Sequence, residues 1–192
     1  KTLLKYILII FFSFTATSQN TVGTTLNSAG SLEGYTLITP TSNVLPTYTY
    51  LIDNCGRVVN SWESNFKGQG ADIIMPDGSL YRGAFDDQST LTYPGNNGRL
   101  EHYDWDGNLI WGYTHSATDY SFHHDYHVLS NGNILMLVAE RKTLAEAIQA
   151  GRDPSKIPDG DLYTEKIIEI QPVGVDSAII VWEWDLWDHL VQ

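Results

Sequence analysis

Residues 98–113 read GRLEHYDWDGNLIWGY: a short strand, a turn holding Asp106 and Gly107, and a second strand that reaches Trp111. The plan recurs in residues 48–63, YTYLIDNCGRVVNSWE, and in residues 165–184, EKIIEIQPVGVDSAIIVWEW. The glycines are Gly56, Gly107 and Gly174, and the tryptophans are Trp62, Trp111 and Trp182. A glycine-then-tryptophan order used three times marks one repeated supersecondary unit.

A second hairpin follows each of the first two. Residues 70–83, GADIIMPDGSLYRG, turn at Pro76-Asp77-Gly78, and residues 123–138, HHDYHVLSNGNILMLV, turn at Asn131-Gly132. Asp-Gly and Asn-Gly predict type I′ turns, which need positive φ at both central residues. The unit is then four antiparallel strands, with blades at about Thr47–Tyr81 and Arg99–Val138 and the first hairpin of a third. Four-stranded units at a period near 40–50 residues predict a β-propeller, with a tryptophan filling the space between blades. The fold class expected is therefore all-β, a partial β-propeller of about two and a half blades. A β-sandwich whose hairpins merely look alike is the competing architecture. A propeller removes its sheet edges by closing on itself. The expectation is thus an N-terminal piece of a longer protein, with a leading segment at 20–46 and the propeller from 47 to 192.

An insertion interrupts the repeat. Thr143-Leu144-Ala145-Glu146 is a capping box, and Gly151 and Pro154 stop the helix that it starts. This predicts a helix of about two turns between the second and third blades.

The formal charge of −12 argues against nucleic acid and anionic membrane as partners. Lys1 and Lys5, the largely apolar run Tyr6–Phe14 and the small residues Ala16-Thr17-Ser18 predict a signal peptide over residues 1–19. The mature chain is expected to be exported, periplasmic or secreted, and free of the membrane after cleavage. A membrane anchor is the alternative, but the run is short for a span of about 20 residues. Cys55 is the only cysteine, so no internal disulfide is expected, and it reads as a turn or partly buried thiol.

The chemistry concentrates in residues 121–137, SFHHDYHVLSNGNILML. In a regular strand His123, Asp125 and His127 share one face, and His124 and Tyr126 the other. Positions four apart are separated by roughly 13 Å at about 3.3 Å per residue, too far to ligate one metal ion. A metal site would need a bend here or help from elsewhere, so no metal site is expected, and no cofactor. The histidines then either hydrogen-bond the end of a blade or act as acid–base or nucleophilic groups, for which imidazole is suited near neutral pH. An inner strand opening on His-His-Asp would aim at least one ring into a central channel. His189, after VWEWDLWD, reads as packing or pocket rim, and Asp125 as a possible pocket residue. Asp86-Asp87 reads as a solvated turn. Arg82, Arg99 and Arg141 are candidate anion holders that no spacing selects among.

The ordered set LIDNCGRVVNSW, MPDGSL, DWDGNLIWGY, HHDYHVLSNGNILML and VWEWDLWDHLVQ resembles the arylsulfotransferase (aryl-sulfate sulfotransferase) family over about residues 34–192, especially secreted versions from Bacteroidetes-type bacteria. The resemblance implies a six-bladed propeller with its active site at the central channel. It implies transfer of a sulfuryl group from a phenolic sulfate ester to a phenol, through a sulfated histidine, with no nucleotide sulfate donor and no metal. His124, or its neighbour His123, matches the family's first catalytic histidine. The family's later histidine, its arginine and the histidine that becomes sulfated would lie beyond Gln192, so the piece is expected to be inactive alone. A non-catalytic propeller for adhesion or ligand binding is the other class of function left open. A quinone-cofactor propeller shares tryptophan-rich blades, but its cofactor-binding pattern is missing from this sequence.

Overall fold

The computed structural model describes residues 26–87, 90–91, 94–157 and 160–190. The expected signal peptide lies outside the described residues. Eleven strands are described: β1 (Tyr35–Ile38), β2 (Thr47–Asp53), β3 (Val58–Ser64), β4 (Lys67–Ile74), β5 (Leu80–Phe85), β6 (Gly98–Tyr103), β7 (Leu109–Thr114), β8 (Tyr120–Val128), β9 (Ile134–Thr143), β10 (Asp161–Val173) and β11 (Ser177–Asp185). They form three antiparallel sheets, ordered β1-β2-β3, β4-β5-β6-β7 and β8-β9-β10-β11. The chain is all-β, built as consecutive propeller blades.

The blades are out of phase with the sequence expectation by one hairpin. The hairpin of residues 70–83 joins that of 98–113, and the hairpin of 123–138 joins that of 165–184. Only Asn65 and Phe66 separate β3 from β4, yet the sheets divide there. The much longer connection from β5 to β6 instead joins two strands of one sheet. The helix α1 (Leu144–Gln149) carries the expected capping box between Thr143 and Glu146, but it lies between β9 and β10, inside a sheet rather than between blades.

Four hairpins share one turn. Gly56 donates its amide to Asp53 O, Gly78 to Met75 O, Gly107 to Asp104 O and Gly132 to Leu129 O. Each glycine has positive φ, while Asp77 and Asn131 do not. These are type I turns closed by a left-handed glycine, not the type I′ turns expected. Cys55 sits in the first of them and is exposed.

The sheets stack face to face. Leu51, Trp62, Leu80 and Tyr103 form the core between the first and second, and Leu100, Trp111, Phe122, Tyr126, Met136 and Ile168 belong to the larger core of the second and third. A tryptophan stitches each junction. Trp62 of β3 donates its indole N–H to Asp104 O at 2.7 Å, and Trp111 of β7 donates to Ser177 O at 2.9 Å. Both acceptors lie beside the outer hairpin turn of the next sheet. Trp182, at the corresponding place on β11, is 49% exposed.

A buried polar cluster also spans the first junction. Arg82 is fully buried and donates to Glu101 Oε2 at 3.0 Å, Thr47 Oγ1 at 2.6 Å and Phe66 O at 3.1 Å. Glu101 further accepts from Ser64, Tyr103 and Arg99. Arg82 and Arg99 are thus committed to Glu101, and Arg141 lies 3.6 Å from Asp161. Asp86, expected in a solvated turn, is buried, and its amide donates to Asn97 O at 2.7 Å.

Candidate functional site

The first strands of the second and third sheets, β4 and β8, touch each other across the junction. Both lose register with their partners. In β8 the pairing to β9 runs through Phe122↔Val138, breaks, and resumes at Tyr126↔Met136. Residues His123 to Asp125 fill the gap, and His124 sits at φ +52. The left-handed region disfavours any residue with a Cβ, and β4 breaks its ladder through two left-handed residues, Gly70 at φ +83 and Ala71 at φ +59. Gly70 precedes Met75, and His124 precedes Leu129, at the same remove from the residue that opens the hairpin turn. The third sheet thus places an imidazole where the second uses glycine. Bulges re-aim side chains in this way.

The bulge overturns the regular alternation. His123 is buried at 4% exposure, and His124 and Asp125 both face outward, beside a buried Tyr126. Residues 95–97 supply the edge that β9 gives up. His124 N donates to Gly95 O at 2.8 Å, Asn97 N to Phe122 O at 3.0 Å, and Asn97 Nδ2 to His124 O at 3.3 Å. Asn96 bridges to His123, and its side-chain oxygen accepts from Ser121 Oγ. Gly95 has φ +74, and a Cβ there would lie 2.6 Å from the His124 ring. Glycine is therefore required twice over, by its own backbone and by the imidazole resting on it.

The two imidazoles meet edge to face, with 2.8 Å between their Nδ1 atoms. The other nitrogen of His123, Nε2, lies 2.7 Å from Glu165 Oε2 in β10. Burial pushes the His123 imidazole below its ordinary range, and Glu165 opposes that only partly. A mostly neutral His123 between a carboxylate and a second imidazole can orient and relay protons without holding charge itself.

The remaining expected site residues lie elsewhere. Asp125 accepts the amide of Tyr126 and lines a shallow, largely apolar hollow of about 260 Å³ with His127, Leu135 and Ile167. His189 ends a 3₁₀ turn (Leu186–His189) and stacks on Trp184, ring centroids 5.1 Å apart, on the edge strand opposite β8. Glu165, Asn96, Asn97 and Gly95 were not picked out by sequence. The glycine-asparagine run of PGNNG is the signal that could have drawn attention to the last three.

No curated protein matches the chain. The family model Arylsulfotransferase (ASST) matches residues 18–192, a span that includes all three sheets and the paired imidazoles of β8. With a blade architecture and an outward imidazole on an edge strand already in place, the chain belongs to the arylsulfotransferase family of aryl-sulfate sulfotransferases.

Proposed function

We propose that this protein is an exported sulfotransferase that takes a sulfuryl group from a phenolic sulfate ester and gives it to a phenol through a sulfated histidine, without a nucleotide sulfate donor. In the first half-reaction the ester S–O bond breaks, an N–S bond forms on the nucleophilic imidazole, and the leaving phenolate takes a proton. In the second the acceptor phenol gives up its proton, its oxygen bonds sulfur, and the imidazole is released. Splitting one displacement in two is what a nucleophilic side chain contributes. His124 serves the phenol oxygen as acid and base. The sulfated histidine and the arginine that steadies the sulfuryl oxygens belong to further blades of a six-bladed ring. The exposed Trp182 and Ile179, which lie opposite Glu169 and Gln171 on one face of the third sheet, support further blades, and the charge and apolar pattern of residues 1–19 supports export.

The observation that carries the reading is the placement of His124: an outward imidazole at a left-handed bulge of an edge strand, backed by a buried histidine. The test is nitrophenol release from p-nitrophenyl sulfate by the full-length protein. Release should depend on added phenol, fall about 10²–10⁴-fold in His124→Ala, and stay at background for the 192-residue chain alone. No phenol-dependent release from the full-length protein would favour the non-catalytic propeller instead.

A further inference from the structure

We infer that Glu165 is a positioning residue: acting through His123, it decides which nitrogen of His124 carries the proton and leaves Nε2 of His124 with the lone pair. The sheet is built to allow this contact. Ser121, Ala139 and Glu165 are directly opposite one another across β8, β9 and β10. Opposed residues project from the same face, and so does His123, two positions along from Ser121. Ala139 is fully buried and ends at Cβ. Its small side chain lets Glu165 lean across the middle strand and reach His123 Nε2 at 2.7 Å.

The proton order follows from what each atom can do. A carboxylate only accepts, so His123 must present its proton on Nε2. His123 is kept largely neutral by burial, and a neutral imidazole has a single N–H, so its Nδ1 holds a lone pair. Two lone pairs do not meet at the 2.8 Å that separates the Nδ1 atoms. The proton between them is therefore that of His124, on Nδ1. In neutral His124 the remaining nitrogen, Nε2, is then the basic one. When Nε2 takes a proton from a phenol, the new positive charge is stabilised through His123 by Glu165, and no proton need leave the chain of three. Carboxylate-oriented imidazoles in hydrolases use the same tautomer logic. Without Glu165, His123 can turn its proton either way and the order is lost.

The catalytic half of this inference rests on the sulfotransferase reading, whereas the tautomer half does not. The experiment uses full-length protein labelled with ¹⁵N at histidine. Long-range ¹H–¹⁵N correlation should show His124 protonated on Nδ1 and bare on Nε2 in the neutral form. In Glu165→Ala the signal should move toward a mixture of tautomers, and in Glu165→Gln, whose amide oxygen can still accept, most of the order should return. With p-nitrophenyl sulfate and phenol, Glu165→Ala should lower kcat about tenfold or more while KM stays within about twofold, with partial rescue by Glu165→Gln. A wild-type His124 protonated on Nε2 overturns the inference, whatever the activity. So does a Glu165→Ala protein with unchanged tautomer and kcat. Correct tautomers in a protein with no transferase activity would sink the function and leave the positioning role standing.

Discussion

Trp62 and Asp104 are joined across two sheets by a hydrogen bond of 2.7 Å, indole N–H to backbone carbonyl. The indole is fully buried and meets the edge of Trp105 at 5.8 Å. Two contributions coincide there: a large apolar area removed from water, and a polar tip that finds a partner once buried.

Trp62→Phe keeps most of the area and removes one of the two donors to Asp104 O, leaving the Gly107 amide, so it should cost about 1 kcal/mol. Trp62→Ala opens a cavity as well and should cost about 3–5 kcal/mol. Trp111→Phe should resemble Trp62→Phe. Urea midpoints at constant m-value are the measurement.

Arg82 and Glu101 form a fully enclosed ion pair whose remaining donors and acceptors are satisfied by Thr47, Ser64 and Tyr103. Arg82→Met leaves a buried carboxylate whose remaining ion-pair partner is the half-buried Arg99 and should cost about 3–5 kcal/mol. Adding Glu101→Leu removes the stranded charge and should restore part of that loss. A double-mutant cycle reads the difference, and a double variant no more stable than Arg82→Met would contradict it.

His115 is half-buried against Tyr113, whose hydroxyl lies 3.1 Å from His115 Nδ1. Burial, helped by the nearby Lys166 ammonium, pushes its imidazole down to about 4. The unfolded chain takes up this proton near pH 6.5 and the folded chain only near 4, so stability is full above pH 6.5 and falls as pH drops through that window. The loss due to this group should be about 2–3 kcal/mol. His102 and His123, also pushed down by burial, act in the same direction. Thermal midpoints of wild type and His115→Gln between about pH 7 and pH 4 should converge as pH falls.

His124 holds a left-handed backbone that costs a Cβ-bearing residue on the order of 1 kcal/mol. His124→Gly should therefore be more stable than His124→Ala by about that amount. Gly95→Ala should disturb the same place from the other side, shifting the His124 ring and destabilising the fold by at least about 1 kcal/mol. Equal stability of the two His124 variants would mean the bulge relaxes once the imidazole is gone.

The elements were legible in the sequence because glycine turns and tryptophan strands are local signals. The Gly56, Gly78, Gly107 and Gly132 hairpins all form where the sequence puts them. Their assignment to sheets was not legible. Every hairpin has the same ends, and the shortest connection, Asn65-Phe66, turned out to cross between blades because β4 pairs with β5 on its other side. At the site, the histidine pair stands out in sequence by composition alone. Its geometry does not, because strict alternation assumes an unbroken ladder, and the left-handed turn at His124 exists only in concert with Gly95 and Asn97. Glu165 could be found only once β9 and β10 were known to pair around the helical insertion, which brings a residue 42 positions away to His123.

The tryptophan bonds all run in one direction along the chain. The first sheet finds its carbonyl at Asp104 and the second finds its own at Ser177, each in a segment synthesised later. As the polypeptide emerges from a ribosome, a newly made sheet thus has an unfinished seam until its successor arrives. A pause just before residue 104 would leave Trp62 without its acceptor after the whole of its own sheet has been made.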